Sequence, residues 1–290
     1  MFEGTYTALI TPFRDGALDE EAFRRLIQRQ LDGGVEGLVP CGTTGETPTL
    51  TDDEYVRVVS IAIEEAAGRV PVIAGTGSNN TKKTIETTKL AKELGADAAL
   101  IVTPYYNKPP QHALVTHYQA ICAEVSIPVV LYNVPGRTGS NLSPESAAEL
   151  SKLDEIVALK DAAGSMEQTM RTIELCEGRL NVLSGDDALA FPMYALGAKG
   201  VISVSSNVDP ARMSSIYRAA KAGDFATARR LHYELLPLIR DLFCEANPIP
   251  SKAALSYLGY CANELRGPLV PLSAHLEERI RGVLRALELS

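Results

Sequence analysis

Short runs of apolar, mostly β-branched residues recur along the first three quarters of the chain. Runs that do not alternate with polar positions are typical of parallel strands buried on both faces of a sheet. Each run is followed by a Gly, Pro, Ser, Thr or Asn cluster, and then by a segment with helical periodicity. Eight strands are predicted, at residues 6–10, 37–40, 70–74, 98–103, 128–132, 156–160, 181–184 and 200–204.

The alternation of strand and helix indicates an α/β fold, a (β/α)₈ TIM barrel, rather than an open doubly wound sheet. A typical barrel of this kind has about 250 residues, and no break in composition interrupts the pattern. The predicted barrel covers residues 1–222. After it only amphipathic stretches remain, so residues 223–290 are predicted to form a C-terminal helical domain.

Composition narrows the classes of function. The 290 residues carry a net charge of −8 and no run of Lys or Arg, which disfavours a nucleic-acid or anionic-membrane binder. The five scattered cysteines form no C-x-x-C pair and indicate reduced thiols. No signal peptide and no apolar stretch of transmembrane length is found, so we expect a cytoplasmic protein with a small-molecule partner.

The histidines do not indicate a metal site. All four lie on predicted helices or near the C-terminus, away from the strand ends. His112 and His117 are predicted to lie at the surface or at an interface. We therefore expect neither a metal nor another cofactor.

Lys160 is the first candidate for chemistry, because barrel enzymes place their active site at the carboxyl ends of the strands. It closes the sixth predicted strand, whereas Lys199 precedes the eighth and the other eight lysines are placed on polar helical faces or in loops. A lysine attacks a carbonyl only as the neutral amine, which burial favours. Lys160 is therefore a candidate Schiff-base residue. The alternative is an ion pair with Asp161 or another carboxylate.

Other strand ends carry groups that fit the same chemistry. Tyr106, Tyr132 and Thr43 supply hydroxyls for a proton relay, although each tyrosine alone could be a packing residue. The turn at residues 42–46 presents backbone N–H groups suited to a carboxylate, unless it is only a Gly-rich turn. Arg137 is a bidentate donor for a second carboxylate, or else a solvated surface side chain.

Several motifs together carry a resemblance to a known family. They are GTTGE at residues 42–46, VIAGTG at 72–77, TPYYNKP at 103–109, YNVPGRTG at 132–139, the Lys160 strand, SGDD at 184–187 and NPIP at 247–250. Over nearly its whole length the chain resembles the dihydrodipicolinate synthase family, also called the 4-hydroxy-tetrahydrodipicolinate synthases. Some motifs are shared with a wider group of pyruvate aldolases, including N-acetylneuraminate lyase, whereas the Arg137 loop looks specific to the synthases.

The resemblance implies a lyase that condenses pyruvate with L-aspartate 4-semialdehyde in lysine and diaminopimelate biosynthesis. Lys160 is then expected to form the pyruvate imine, and Arg137 to take the carboxylate of the semialdehyde. Catalysis is assigned to Lys160, Tyr132, Thr43 and Tyr106, and substrate binding to Thr44, Arg137, Gly185 and Ile202.

The resemblance also implies a homotetramer built from two dimers. In the family, the residue that matches Tyr106 is lent across a dimer interface. Oligomerisation is therefore expected to be a condition of activity.

Inhibition by lysine is expected to be weak or absent. In inhibited members of the family lysine binds at the dimer interface, and Asn79 and Tyr105 fit that allosteric site. Asp52 and Tyr55, however, stand where those members have histidines. Lys83 occupies the acidic position, and its charge repels a cationic inhibitor.

Two other functions stay open at this point. One is a lyase or aldolase that cleaves a 2-keto sugar acid at the same lysine, with no need of Arg137. The other is a non-catalytic barrel that senses an organic acid, in which Lys160 acts as a plain charge.

Overall fold

A computed structural model describes residues 2–289 of the chain. The strands are β1 (Gly4–Ala8), β2 (Phe13–Arg14), β3 (Ala17–Leu18), β4 (Gly37–Val39), β5 (Ile73–Gly75), β6 (Ala98–Val102), β7 (Val129–Asn133), β8 (Ile156–Asp161), β9 (Asn181–Ser184) and β10 (Gly200–Ser203). Eight of them form one nearly closed parallel sheet in the order β4-β1-β10-β9-β8-β7-β6-β5. The other two, β2 and β3, pair as a small antiparallel hairpin.

The helices are α1 (Glu20–Asp32), α2 (Asp52–Ala66), α3 (Thr81–Leu94), α4 (Gln111–Glu124), α5 (Pro135–Thr138), α6 (Pro144–Leu150), α7 (Met166–Cys176), α8 (Asp187–Ala195), α9 (Pro210–Lys221), α10 (Phe225–Asp241), α11 (Ile249–Tyr257) and α12 (Ala274–Ala286). Three single-turn 3₁₀ helices lie at Thr43–Gly45, Thr47–Thr49 and Ser205–Asn207. Across residues 2–289, no helix combines the length and the apolar composition needed to cross a bilayer.

The predicted fold class, a TIM barrel followed by C-terminal helices, is confirmed. Every predicted strand run overlaps an observed strand, and the boundaries differ by at most three residues. The run at residues 70–74 becomes a strand only at Ile73, since Pro71 has no N–H to donate to a neighbouring strand. The division into a barrel over residues 1–222 and a helical domain over residues 223–290 stays a prediction.

The chain folds as two compact units. We call the first the central unit; it contains residues 2–3 and Ile73–Ile202. The second, the terminal unit, contains Gly4–Val72 and residues 203–289.

The central unit is built on β5 to β9, which pair in parallel with their neighbours in sequence. Their side chains are almost continuously buried, as the runs without alternation predicted. The helices between them have polar caps: the side chain of Asn80 accepts from Lys83 N at the start of α3. Gly95 ends the same helix in the left-handed conformation, at φ 98°.

The terminal unit joins the beginning of the chain to its last helices. Its strands β1 and β4 pair in parallel with Tyr6 opposite Gly37, and a Cβ on Gly37 would lie 2.0 Å from the Tyr6 ring. A capping box between Thr51 and Glu54 starts α2. The hairpin of β2 and β3 was not predicted, although its turn, Asp15–Gly16, is a common two-residue hairpin sequence.

His117 lies inside the central unit, so its predicted position at the surface or at an interface is wrong. The side chain is 6% exposed, and its Nδ1 lies 2.9 Å from Thr81 Oγ1. Nε2 is buried without a hydrogen-bond partner. Because burial disfavours the imidazolium, the pKa of His117 is lowered to about 4.

The lowered pKa of His117 predicts a stability that falls with acidification. As the pH drops below the ordinary pKa of about 6.5, the unfolded chain binds a proton that the folded chain does not take up until about pH 4. The free energy of unfolding is therefore expected to fall by about 2 kcal/mol from this residue between pH 7 and pH 5.

Urea denaturation at the two pH values measures this loss. His117→Gln should reduce the loss between the two pH values by about 2 kcal/mol, whereas His112→Gln, an exposed position on the same helix, should leave it unchanged. An equal pH dependence in wild type and His117→Gln would contradict the assignment.

Candidate active site

Lys160 lies near the carboxyl end of β8, where the strand register fixes its neighbours. It pairs with Tyr132 on β7 and with Leu183 on β9. The side chains of Lys160 and Tyr132 are 5% and 6% exposed. Lys160 Nζ lies 4.2 Å from the centroid of the Tyr132 ring, which shields one side of the amine from water. The structure thus brings a buried amine and a phenol together.

Asp161 does not pair with Lys160, although it is the next residue. Successive side chains on a strand point to opposite faces, so the Asp161 carboxylate turns away from the amine. It accepts hydrogen bonds from Thr169 Oγ1 at 2.6 Å and from Ala163 N at 3.0 Å. Over residues 2–289 no salt bridge forms at Lys160. The ion-pair alternative raised for Lys160 therefore receives no support.

Gly185 leaves the space that the Lys160 side chain occupies. A Cβ on Gly185 would lie 3.1 Å from Lys160 Cγ and 2.8 Å from Ala162 Cβ. The backbone N–H of Gly185 donates to Asp161 O at 2.7 Å. Ile202, on β10, is buried; this strand pairs with β9, which also pairs with the Lys160 strand. Gly185 is therefore a direct neighbour of the amine, and Ile202 lies one strand further along.

Arg137 lies on a loop that the end of β7 holds in place. Asn133, the last residue of that strand, donates from Nδ2 to Asn141 Oδ1 at 2.8 Å and accepts from Leu142 N at 2.9 Å. Thr138 donates to Ser140 O at 2.8 Å. The Arg137 side chain is exposed, and the described part of the chain offers it no salt bridge. A fixed loop thus carries a guanidinium that is free to bind an anion.

Tyr106 lies on the neighbouring loop, after β6. Its side chain is 89% exposed, and its backbone is left-handed at φ 73°, a conformation with a steric cost for an aromatic residue. The Tyr106 N–H donates to Thr138 O at 3.3 Å, which joins this loop to the Arg137 loop. Asn79 donates from Nδ2 to Tyr105 O at 3.3 Å, so the two proposed allosteric residues are in contact.

Thr43 and Thr44 belong to the terminal unit, in the 3₁₀ turn that follows β4. Thr43 is half-buried and Thr44 is buried. Thr11 donates from Oγ1 to Gly45 O at 2.8 Å, and Asn247 donates from Nδ2 to Thr44 Oγ1 at 2.9 Å. The turn is thus fixed both by the end of β1 and by the chain just before α11.

The placement of Lys252 on a polar helical face or in a loop is wrong, because its side chain is fully buried. Its Nζ lies 2.5 Å from Glu46 Oε1, and both side chains are 0% exposed. Burial lowers the pKa of Lys252, and the charge of Glu46 opposes that shift. The signal in the sequence was a single charge within the otherwise uncharged stretch at residues 249–257, which includes Lys252.

A second ion pair lies beside this one at the surface of the terminal unit. The Arg266 guanidinium makes two hydrogen bonds with Glu54, at 2.5 and 2.6 Å. These hydrogen bonds lower the pKa of Glu54 to about 2. Within residues 2–289 no group of three His, Cys, Asp or Glu side chains is arranged as a metal site.

The arrangement in the central unit suits amine chemistry on a small anionic carbonyl compound. It offers a buried lysine without a salt bridge, a phenol against that lysine, and an unpaired guanidinium on a hydrogen-bonded loop. A nucleophile and a proton donor are the parts that imine formation requires, and the guanidinium supplies a group for binding an anionic substrate.

Comparisons with known proteins place this site in context. The model of the dihydrodipicolinate synthetase family matches residues 1–287. The chain is 52% identical over 286 residues to 4-hydroxy-tetrahydrodipicolinate synthase of Nitratidesulfovibrio vulgaris strain DP4, and the match covers 98% of both chains. Among solved structures it is similar to dihydrodipicolinate synthase from Thermotoga maritima, with a TM-score of 0.99, 44% identity and full coverage of both chains. The Acinetobacter baumannii enzyme complexed with pyruvate has a TM-score of 0.98 and 42% identity, also with full coverage of both chains.

The tight space beside Lys160 predicts opposite effects for the same substitution at two glycines. Gly185→Ala forces a methyl group against Lys160 and Ala162 and is expected to destabilise the fold by about 1–3 kcal/mol. Gly282→Ala, inside α12 with open space around an added Cβ, is expected to stabilise it by roughly 0.5–1 kcal/mol. Denaturant titration of both variants measures the difference. If Gly185→Ala left the free energy of unfolding unchanged, Lys160 and Ala162 would be able to move aside at little energetic cost, and the prediction would be wrong.

Proposed function

Because this chain belongs to the dihydrodipicolinate synthetase family, we propose that it condenses pyruvate with L-aspartate 4-semialdehyde to 4-hydroxy-tetrahydrodipicolinate. Its activity is that of a lyase in lysine and diaminopimelate biosynthesis. Relatives named 4-hydroxy-tetrahydrodipicolinate synthase are 49–52% identical to it over 98–100% of the chain. The observation that carries the proposal is Lys160, a buried amine without a salt bridge, against the Tyr132 ring.

The proposed reaction begins when Lys160 Nζ attacks C2 of pyruvate. The carbinolamine loses its oxygen as water and becomes an imine, and loss of a proton from C3 gives an enamine. The enamine carbon attacks the aldehyde carbon of the semialdehyde, which forms the new carbon–carbon bond. The amine of the semialdehyde then attacks the imine carbon and displaces Lys160, so the ring closes and the enzyme is restored. One water leaves per product.

Proton transfer in these steps is assigned to three hydroxyl groups. Tyr132 is the phenol in contact with Lys160 and is proposed to protonate the carbinolamine oxygen that leaves as water. Thr43 and Tyr106 are proposed to pass protons between Tyr132 and solvent. These two assignments rest on the resemblance of the GTTGE and TPYYNKP motifs, which contain Thr43 and Tyr106, to the family.

The two substrate carboxylates are assigned to different groups. The backbone of the Thr44 turn is proposed to hold the pyruvate carboxylate, and the backbone at Gly185 and Ile202 to line the pyruvate pocket. The complex of the Acinetobacter baumannii relative with pyruvate supports pyruvate as a substrate of this chain. Arg137 is proposed to bind the carboxylate of the semialdehyde, because its guanidinium is exposed and unpaired on a fixed loop.

We also propose a cytoplasmic homotetramer made of two dimers. The support in this chain is Tyr106, a large side chain that is 89% exposed on a left-handed backbone. An aromatic side chain held in this way is suited to insertion into a second copy, where its hydroxyl could join the relay. Activity would then depend on assembly.

The proposal predicts that Lys160→Ala abolishes both turnover and covalent trapping. Borohydride reduction with pyruvate should add the reduced adduct to Lys160 in the wild type and to no residue in the variant, as mass spectrometry detects. Lys199→Ala removes an exposed lysine before β10 and should keep both properties. A folded wild type that consumes pyruvate with the semialdehyde but traps no adduct would contradict the imine.

Arg137→Ala tests the second substrate. Loss of a charged hydrogen-bonding partner for a carboxylate is expected to raise the KM for the semialdehyde by about 10- to 100-fold, with little change in the KM for pyruvate. Arg137→Lys keeps the charge without the bidentate geometry and should fall in between. An unchanged KM for the semialdehyde would overturn the assignment of Arg137 to its carboxylate. A folded wild type that does not turn over the semialdehyde would favour a lyase for 2-keto sugar acids, which has no second small carboxylate to bind.

A further inference from the structure

Lys252 and Glu46 form an ion pair that no step of the proposed reaction uses. Both side chains are fully buried, and Nζ lies 2.5 Å from Oε1. Two buried charges cost more solvation than most ion pairs return, and apolar residues of similar size are often at least as stable. The pair is therefore a poor device for stability alone. The pair does, however, hold the turn that ends at Glu46 in a fixed position against α11, which carries Lys252.

The remaining polar atoms of the pair are also bound. Lys252 Nζ donates to Glu264 O at 2.8 Å and lies 4.1 Å from the centroid of the Phe13 ring. Glu46 Oε2 accepts from Arg266 N at 3.0 Å. Each charged group therefore has a second partner besides the ion pair, so a shift of either side chain breaks a contact.

The backbone of Glu46 closes the turn that carries Thr43 and Thr44. Glu46 is left-handed, at φ 52°, and its N–H donates to Thr43 O at 3.1 Å. A left-handed backbone is uncommon for a residue with a side chain and persists where its surroundings enforce it. Here the side chain of Glu46 is bound to Lys252, and this contact helps to keep the backbone of the same residue in its left-handed conformation.

Resting on the proposed function, we infer that Glu46 and Lys252 are positioning residues that fix the Thr43–Gly45 turn for binding of the pyruvate carboxylate. Neither residue contacts the substrate in this scheme. Helix α11, which carries Lys252, thereby sets the pyruvate affinity through the turn. A carboxylate held by backbone N–H groups is sensitive to small displacements of those groups, so a loosened turn weakens pyruvate binding.

The test separates this role from one in stability. Lys252→Met leaves the Glu46 charge buried without a partner, and this single variant is the one at risk of not folding. The double variant Glu46→Gln, Lys252→Met removes both charges at similar volume and is expected to melt close to the wild type. Lys89→Met is the matched control, because it removes a lysine from an exposed ion pair with Glu124.

Two readouts are compared across the wild type, the double variant and the control. The first is the pyruvate concentration that gives half-maximal borohydride trapping at Lys160, and the second is the pair of KM values. In the double variant we expect half-maximal trapping and the KM for pyruvate to rise together by about tenfold, with the KM for the semialdehyde within about twofold of the wild type. The control should match the wild type.

A folded double variant with wild-type trapping would overturn the positioning role while leaving the proposed function intact. Equal increases in both KM values would also overturn it, since that pattern indicates a general distortion. A wild type that traps no pyruvate would overturn the proposed function itself, and the inference with it.

Discussion

The register of β8 against its two neighbours is the constraint on which the candidate site depends. It places Lys160 beside Tyr132 on one side and Leu183 on the other. Because side chains alternate along a strand, the same register turns Asp161 away, where Thr169 and a backbone N–H take up its carboxylate. A shift of one residue would exchange the amine and the carboxylate and abolish the site.

Short polar side chains then hold the loops that follow the strands. In the central unit, Asn133 and Thr138 bind the loop that carries Arg137, and the Tyr106 backbone joins it. In the terminal unit, Thr11 and Asn247 hold the turn with Thr43 and Thr44. The groups assigned to chemistry are thus supported by neighbours that have no role in it, which is how a barrel keeps loops in fixed positions on a rigid sheet.

Local sequence predicted the elements and the lysine, because their signals lie in a few consecutive residues. A run of apolar residues ending in Lys160 predicts a strand, and the structure places Lys160 near the carboxyl end of β8. The burial of His117 depends on an element distant in sequence and could not be read from its own helix, whereas the uncharged stretch around Lys252 carried a local signal that was not used. The pairing of Glu46 with Lys252 spans most of the chain, so no spacing rule reveals it. The Asp15–Gly16 hairpin, in contrast, carried a local signal that was overlooked.

The buried pair also limits the routes by which this chain can change. A substitution at Glu46 or Lys252 alone passes through a form with one unpaired charge in the interior, whereas joint replacement removes both charges at once. The two positions are therefore strongly epistatic. Sequences with the charged pair and sequences with two uncharged residues are separated by a fitness barrier that single substitutions do not cross easily. A mutant library that changes one position at a time will therefore contain few folded variants at Glu46 and Lys252. Randomising both codons together gives access to variants in which both charges are replaced.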